Sequence, residues 1–191
     1  MRIVGVTGLP GAGKSLVTEI SRESGISVVS MGDIVREEAK KRDENPGVTA
    51  VKLREEKGDF VLAEISIVKI NEIMLEKSIN EDKSKYSDLI VVEGIRSPHE
   101  VDMFKENFDD FTLVSVFSSP TTRFNRLKKR KRSDDSLKYE DFKKRDQREL
   151  DLGVGSVIAC SDFIIINESD IDYYKKQFYN FYYKHIKKWV W

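Results

Sequence analysis

Gly8-Leu9-Pro10-Gly11-Ala12-Gly13-Lys14-Ser15 sets glycines, a lysine and a hydroxyl at the spacing G-x-x-x-x-G-K-[ST]. The chemistry this serves is the holding of phosphate oxygens. Glycines let successive backbone N–H groups curl into a concave nest that side chains would obstruct. Lys14 then reaches the β- and γ-phosphates of a nucleotide, and the Ser15 hydroxyl ligates Mg²⁺. The pattern carries that meaning only between a strand and a helix, and the flanks agree. Ile3–Val6 reads as a short buried strand, and Leu16-Val17-Thr18-Glu19-Ile20 carries apolar residues at helical spacing. A helix starting near Lys14 adds its positive N-terminal end. All eight residues are expected to bind ATP with Mg²⁺.

The elements that must position this loop come from five apolar runs: Ile3–Val6, Ile26–Val29, Leu89–Val92, Leu113–Phe117 and Phe163–Ile166. Each is nearly continuously apolar, as strands covered by helices on both faces are. The alternation predicts an α/β fold of three layers: a five-stranded parallel sheet with right-handed crossovers. Ligands in such sheets lie at the carboxyl ends of the strands, so the residues just after each strand are the candidates for chemistry.

After the second strand, Ser30-Met31-Gly32-Asp33-Ile34-Val35-Arg36 opens a helix that Asp33 could cap, with Arg36 one turn in. After the third, Glu93 is placed to hold Mg²⁺ together with Ser15. Gly94 permits close approach of a ligand, and Arg96 offers a planar fork for phosphate. Arg36 and Arg96 should face one cleft, as a phosphate clamp. Pro98 fits the first turn of the helix that follows. After the fourth strand, Arg123, Arg126, Lys128, Lys129, Arg130, Lys131 and Arg132 crowd one helix. Arg126 and Arg130, four apart, share a face and read as arms for nucleotide phosphates. Arg145 and Arg148 follow on Tyr139–Leu150. Arginines that close over a transferring phosphoryl group spread its charge.

The chain fits a single domain over 1–191, with an acceptor-binding insertion at about 32–87 and a short basic lid at about 130–150. In the insertion, Asn45-Pro46-Gly47 is a turn signal. Val51, Leu53, Phe60, Val61, Ala63, Ile65, Val68, Ile70, Ile73 and Met74 suggest a helix pair, closed by the polar Asn80–Ser87. Asn167-Glu168-Ser169 is a loop at the edge of a base pocket or a plain turn. Tyr174, Phe178, Phe181, Tyr182 and His185 form a stripe that packs on the sheet. His99 and His185 lack metal-spaced partners and read as structural or surface residues.

Lys plus Arg and Asp plus Glu balance at 33 each, so no global field favours nucleic acid or a membrane surface. The expected partners are small-molecule nucleotides. A single cysteine, Cys160, excludes an intramolecular disulfide and fits a reducing compartment. With no apolar run long enough to span a bilayer and a first strand at the N-terminus, the expectation is a cytoplasmic protein. No Asn-Lys-x-Asp sequence occurs to read guanine, which argues against a GTPase switch.

The P-loop, the Gly32-Asp33-x-x-Arg36 element, Gly94-x-Arg96 and Arg126-x-x-x-Arg130 together resemble adenylate kinase and its nucleoside monophosphate kinase relatives. Arg132-Ser133-Asp134-Asp135, Arg145-Asp146-x-x-Glu149 and Ala159-x-x-Asp162 bring the pattern nearest a small archaeal-type family of adenylate-kinase-related and dephospho-CoA-kinase-like proteins. The resemblance implies that Gly32, Arg36, Gly94 and Arg96 hold an acceptor phosphate, that Arg126 lies near the donor base, and that Arg130 lies near its phosphates. It also implies lid arginines among Arg132, Arg145 and Arg148. Two departures stand out: Gly94-Ile95-Arg96 is one residue shorter than the adenylate kinase element, and Met31 replaces its threonine. Asp33 matches the neighbourhood of the base that takes a hydroxyl proton in dephospho-CoA kinases. The expected activity is phosphoryl transfer from ATP to a small acceptor such as AMP, with Lys14, Arg130, Arg145 and Asp33 catalytic. The alternatives are a dephospho-CoA kinase and a nucleotide-binding regulatory or assembly ATPase.

Overall fold

The computed structural model describes residues 1–79, 88–130 and 138–183. Strand β1 (Arg2–Thr7) runs through the P-loop into α1 (Lys14–Glu23), and β2 (Ser27–Ser30) into α2 (Met31–Arg42). The insertion supplies α3 (Pro46–Lys57) and α4 (Val61–Ile79). Then come β3 (Leu89–Ile95), α5 (Pro98–Asn107), β4 (Phe111–Phe117) and α6 (Pro120–Arg130). The chain continues with α7 (Tyr139–Asp151), α8 (Val154–Ala159), β5 (Phe163–Ile166) and α9 (Ile171–Phe181).

Among the described residues the strands form one parallel sheet in the order β2-β3-β1-β4-β5, in line with the apolar runs. Alternate residues of β1 feed two cores. Ile3 joins Ile90, Val92, Leu113 and Phe104 under α4 and α5, whereas Val4 and Val6 join Val17, Ile20, Tyr174 and Phe178 under α1 and α9. Each such side chain fully withdrawn from water contributes about 1.5–3 kcal/mol. The sheet is therefore the rigid platform, and the loops at its carboxyl edge inherit their positions from it.

Register carries the candidate residues together. Glu93 lies opposite Val6 on one side and Ser30 on the other, so β3 delivers its carboxylate beside both the P-loop and the start of α2. A register shift follows between Val6 and Thr7, at Gly94. Gly94 has φ +105°, and a Cβ there would lie 3.2 Å from Met31 Cβ. This is a position glycine alone occupies without strain.

Three local expectations are corrected. Ser30, not Asp33, caps α2: its Oγ accepts from Asp33 N at 3.1 Å, because Asp33 sits at the third helical position. On α4 the buried stripe runs Leu62, Ala63, Ser66, Ile67 and Ile70, leaving Val68 55% exposed; the helix is apolar around most of its circumference, so sequence alone does not pick the face. Strand β5 is not covered on both faces, because Ile164 and Ile166 stay exposed at the sheet edge. Other readings agree. Pro98 stands in the first turn of α5, and Tyr174, Phe178 and Phe181 are buried against the sheet, whereas Asn45-Pro46-Gly47, read as a turn, starts α3 with Asn45 as its cap. His99 is exposed, while Asn80–Ser87, Arg132 and His185 lie outside the described residues.

Candidate nucleotide-binding site

The P-loop leaves β1 and turns through three left-handed glycines, Gly8 (φ +142°), Gly11 (φ +82°) and Gly13 (φ +109°). A Cβ at Gly8 would lie 2.4 Å from the Val116 carbonyl oxygen of β4, so this position admits no side chain. Gly13 forms the N-terminal boundary of α1, and the helix's first backbone N–H groups open onto the loop. Behind the loop, the side chain of Asn167 donates to the Ala12 carbonyl at 2.8 Å, and Tyr174 Oη donates to that of Gly13 at 3.2 Å. Turning carbonyls outward in this way leaves the amide edge facing the cleft.

Lys14 lies across the loop. Its Nζ donates to Gly8 O at 2.6 Å and stands 4.0 Å from Glu93 Oε1. Burial pushes the Lys14 ammonium below its ordinary pKa, against the opposing pull of Glu93. Glu93 in turn accepts from Ser30 Oγ at 3.1 Å.

A cavity of 630 Å³ opens in front of this loop, lined by Pro10, Gly11, Gly13, Lys14 and Ser15. Gly32, Asp33 and Arg36 enter from α2, and Glu93, Gly94 and Arg96 from the end of β3. Arg126 and Arg130 enter from α6, and Arg145 from α7. Of the residues singled out in the sequence, Gly8, Leu9 and Ala12 stay behind this surface. Gly8 and Leu9 present carbonyls to Lys14, and Ala12 is buried. Arg148 lies outside the cavity and lines a neighbouring one.

The charged groups are already organised. Asp33 meets Arg36 Nη2 at 2.5 Å and Arg22 Nη2 at 3.3 Å. Burial raises the Asp33 pKa, but hydrogen bonds and charge from Arg36 and Arg22 outweigh it and hold the carboxyl below its ordinary value. Arg96 pairs with Glu149 at 3.1 Å. Arg126 donates to Ser118 Oγ at 2.9 Å and to Asn167 Oδ1 at 3.0 Å, so it braces the back of the P-loop as well as lining the cleft.

The sequence reading missed Arg22 and gave Glu149 no role. Arg22 lies seven residues after Ser15, and Ser15, Thr18, Glu19 and Arg22 line the cavity along one helix face. That spacing is the signal that could have found it. Glu149 follows Arg145 by four on α7, the same kind of signal.

Comparison with known proteins places the chain. A family model described as an AAA domain matches residues 7–143. A UPF0200 protein of Methanothermobacter thermautotrophicus is 50% identical over 177 residues, covering 93% of this chain and 87% of that protein. The chain belongs to the UPF0200 family. Its solved structural neighbours include TT1252 from Thermus thermophilus, with TM-score 0.64 and 14% identity over 96% of this chain and 97% of the other. Shikimate kinase from Bacteroides thetaiotaomicron aligns with TM-score 0.60 and 12% identity over 96% and 97% of the two chains. At such identities the likeness of the UPF0200 chain to them is one of fold alone: a five-stranded parallel sheet with helices on both faces. No helix among its described residues is long and apolar enough to cross a membrane.

Proposed function

We propose that the protein is a cytoplasmic phosphotransferase that moves the γ-phosphoryl group of ATP to a small acceptor such as a nucleoside monophosphate. The observation that carries this reading is the convergence of Lys14, Ser15, Glu93 and four arginines, Arg36, Arg96, Arg130 and Arg145, on one cavity. A site that only held a nucleotide would need the loop and its lysine. Arginines entering from four further elements suit a group whose negative charge spreads during transfer.

In this reading the loop amides and Lys14 hold the β- and γ-phosphates. The Ser15 hydroxyl and Glu93 carboxylate are hard oxygen donors on adjoining walls and would hold Mg²⁺, which supplies charge neutralisation at the phosphate oxygens. Arg130 and Arg145 stabilise the transferring group, and Arg36 and Arg96 orient the acceptor. Gly32 and Gly94 let it approach the backbone.

A hydroxyl acceptor of the dephospho-CoA type is the second reading, supported by one observation: Asp33 lines the cavity as a carboxylate that its arginines keep ionised. An ionised carboxylate there can accept a hydroxyl proton, a service that a phosphate acceptor does not need.

The test is ADP release from ATP and Mg²⁺ with AMP, CMP, UMP, GMP and dephospho-CoA offered in turn. One acceptor should raise the rate well above the others. Slow release, equal across the panel, would overturn the proposal and favour a nucleotide-dependent regulator.

A further inference from the structure

A second cavity, of 590 Å³, adjoins the first between α2, α3 and α7. The two share Gly32, Arg36, Arg96, Arg145 and Glu149 as a common wall. On its far side α3 contributes Arg54 and α7 contributes Arg148, neither of which reaches the P-loop cavity. Six cationic side chains (Arg36, Arg54, Arg96, Lys138, Arg145 and Arg148) face two acids, Asp141 and Glu149.

Two of these arginines already have carboxylates, Arg36 with Asp33 and Arg96 with Glu149. Arg54 differs. Its guanidinium donates to the Ala50 carbonyl of its own helix at 3.0 Å, and no ion pair is formed with it among the described residues. It is half-buried, and burial and the neighbouring Arg96 charge push its pKa below the ordinary arginine value, against the pull of Glu100, Glu149 and Asp59. A guanidinium partly withdrawn from water, beside a second one and with no carboxylate in ion-pair contact among the described residues, suits an oxyanion. Its planar fork takes two oxygens at once. Val35, Ala50, Val51 and Leu152 give the same cavity an apolar wall for the body of a ligand.

We infer that this second cavity is the acceptor compartment and that Arg54 selects the acceptor by an oxyanion, a phosphate monoester or a carboxylate. The inference rests on the phosphotransferase reading and narrows it: a neutral nucleoside or sugar is rejected, and an anionic molecule of nucleotide size is taken. The acceptor-binding insertion expected at about 32–87 contains this segment, but Arg54 itself went unmarked, because the apolar residues around it, not its charge, attract notice.

Calorimetric titration tests it with the P-loop saturated by ADP and Mg²⁺. The probes are AMP, inorganic phosphate, citrate and adenosine, and the proteins are wild type, Arg54→Ala and Arg54→Lys. Wild type should bind AMP or inorganic phosphate if the anion is a phosphate, or citrate if it is a carboxylate, and should not bind adenosine. Arg54→Ala should weaken that binding at least tenfold, and Arg54→Lys should fall between. Thermal unfolding of each variant separates this from a damaged fold. Three results overturn the inference: adenosine binding as well as AMP, an alanine variant matching wild type, or a wild type that binds no oxyanion probe. Oxyanion binding that depends on Arg54 while no acceptor stimulates ADP release would instead leave the anion site standing and remove the kinase reading.

Discussion

Arg123 of α6 and Asp146 of α7 face each other as a two-pronged ion pair, with Nη1 and Nη2 at 2.6 and 2.5 Å from the carboxylate oxygens. The same guanidinium donates to the carbonyls of Ser118 at 3.1 Å and Pro10 at 3.2 Å, and lies 5.1 Å from the centre of the Phe142 ring. One side chain therefore ties the P-loop to the helix that carries Arg145 and Glu149.

Because Arg123 is only 2% exposed, deleting its partner strands a buried cation. Asp146→Ala should lower unfolding free energy by about 3–5 kcal/mol. Urea unfolding would show it, and a loss under about 1 kcal/mol would mean that Arg123 finds water instead. Replacing both members, Arg123→Met with Asp146→Leu, should recover much of the loss, since no charge is then left unpaired.

Lys14→Ala removes the one ammonium laid across the loop. Acceptor-stimulated ADP release should fall by at least about a hundredfold, the scale of losing one preorganised charge donor at a reacting phosphate. Turnover unchanged in this variant would dismiss phosphoryl transfer at the P-loop.

Asp33→Asn separates the two acceptor readings. Transfer to a hydroxyl should drop by about 10²–10⁴, the usual worth of a positioned base, whereas transfer to a phosphate should change far less. The pH profile gives an independent check. Arg36 and Arg22 hold the Asp33 pKa below its ordinary value, so the base stays ionised through the ordinary carboxylate range, and a hydroxyl-transfer rate should show no Asp33 limb within that range or above it.

Glu100 is buried and accepts backbone hydrogen bonds from Arg96 at 2.6 Å and Ser97 at 3.2 Å. Burial raises its pKa above the ordinary glutamate value, against those hydrogen bonds. The folded chain thus retains a proton that the unfolded chain releases first, and stability from this group is lost as the pH rises through that interval. Glu100→Gln removes the titration. The difference in melting temperature, variant minus wild type, should be more favourable to glutamine at pH 7 than at pH 4; the opposite slope would contradict the burial argument.

The sheet and the loop were legible because they depend on local signals. Five apolar runs name the strands, and the glycines before Lys14 and Ser15 state a backbone conformation directly. The strand-end rule likewise led to Asp33, Arg36, Glu93 and Arg96, which share one cavity. What escaped was partnership. Nothing local says that Arg22 turns to Asp33 or that Glu149 answers Arg96. Each pairing joins elements whose proximity comes from the sheet order and from packing. Exposure of Ile164 and Ile166 has the same origin: β5 is an edge strand, and an apolar run does not reveal its place in a sheet.

Arg96 and Glu149 stand in the wall between the two cavities. A ligand that draws Arg96 toward itself must loosen the Arg96–Glu149 pair, and its neighbour then meets a changed wall. Were a nucleotide and a second molecule to fill the two sides, any coupling carried by this pair would be reciprocal, each shifting the affinity for the other by the same factor. In that case the order in which the two ligands arrive would alter the path taken, but not the free energy of the doubly occupied protein.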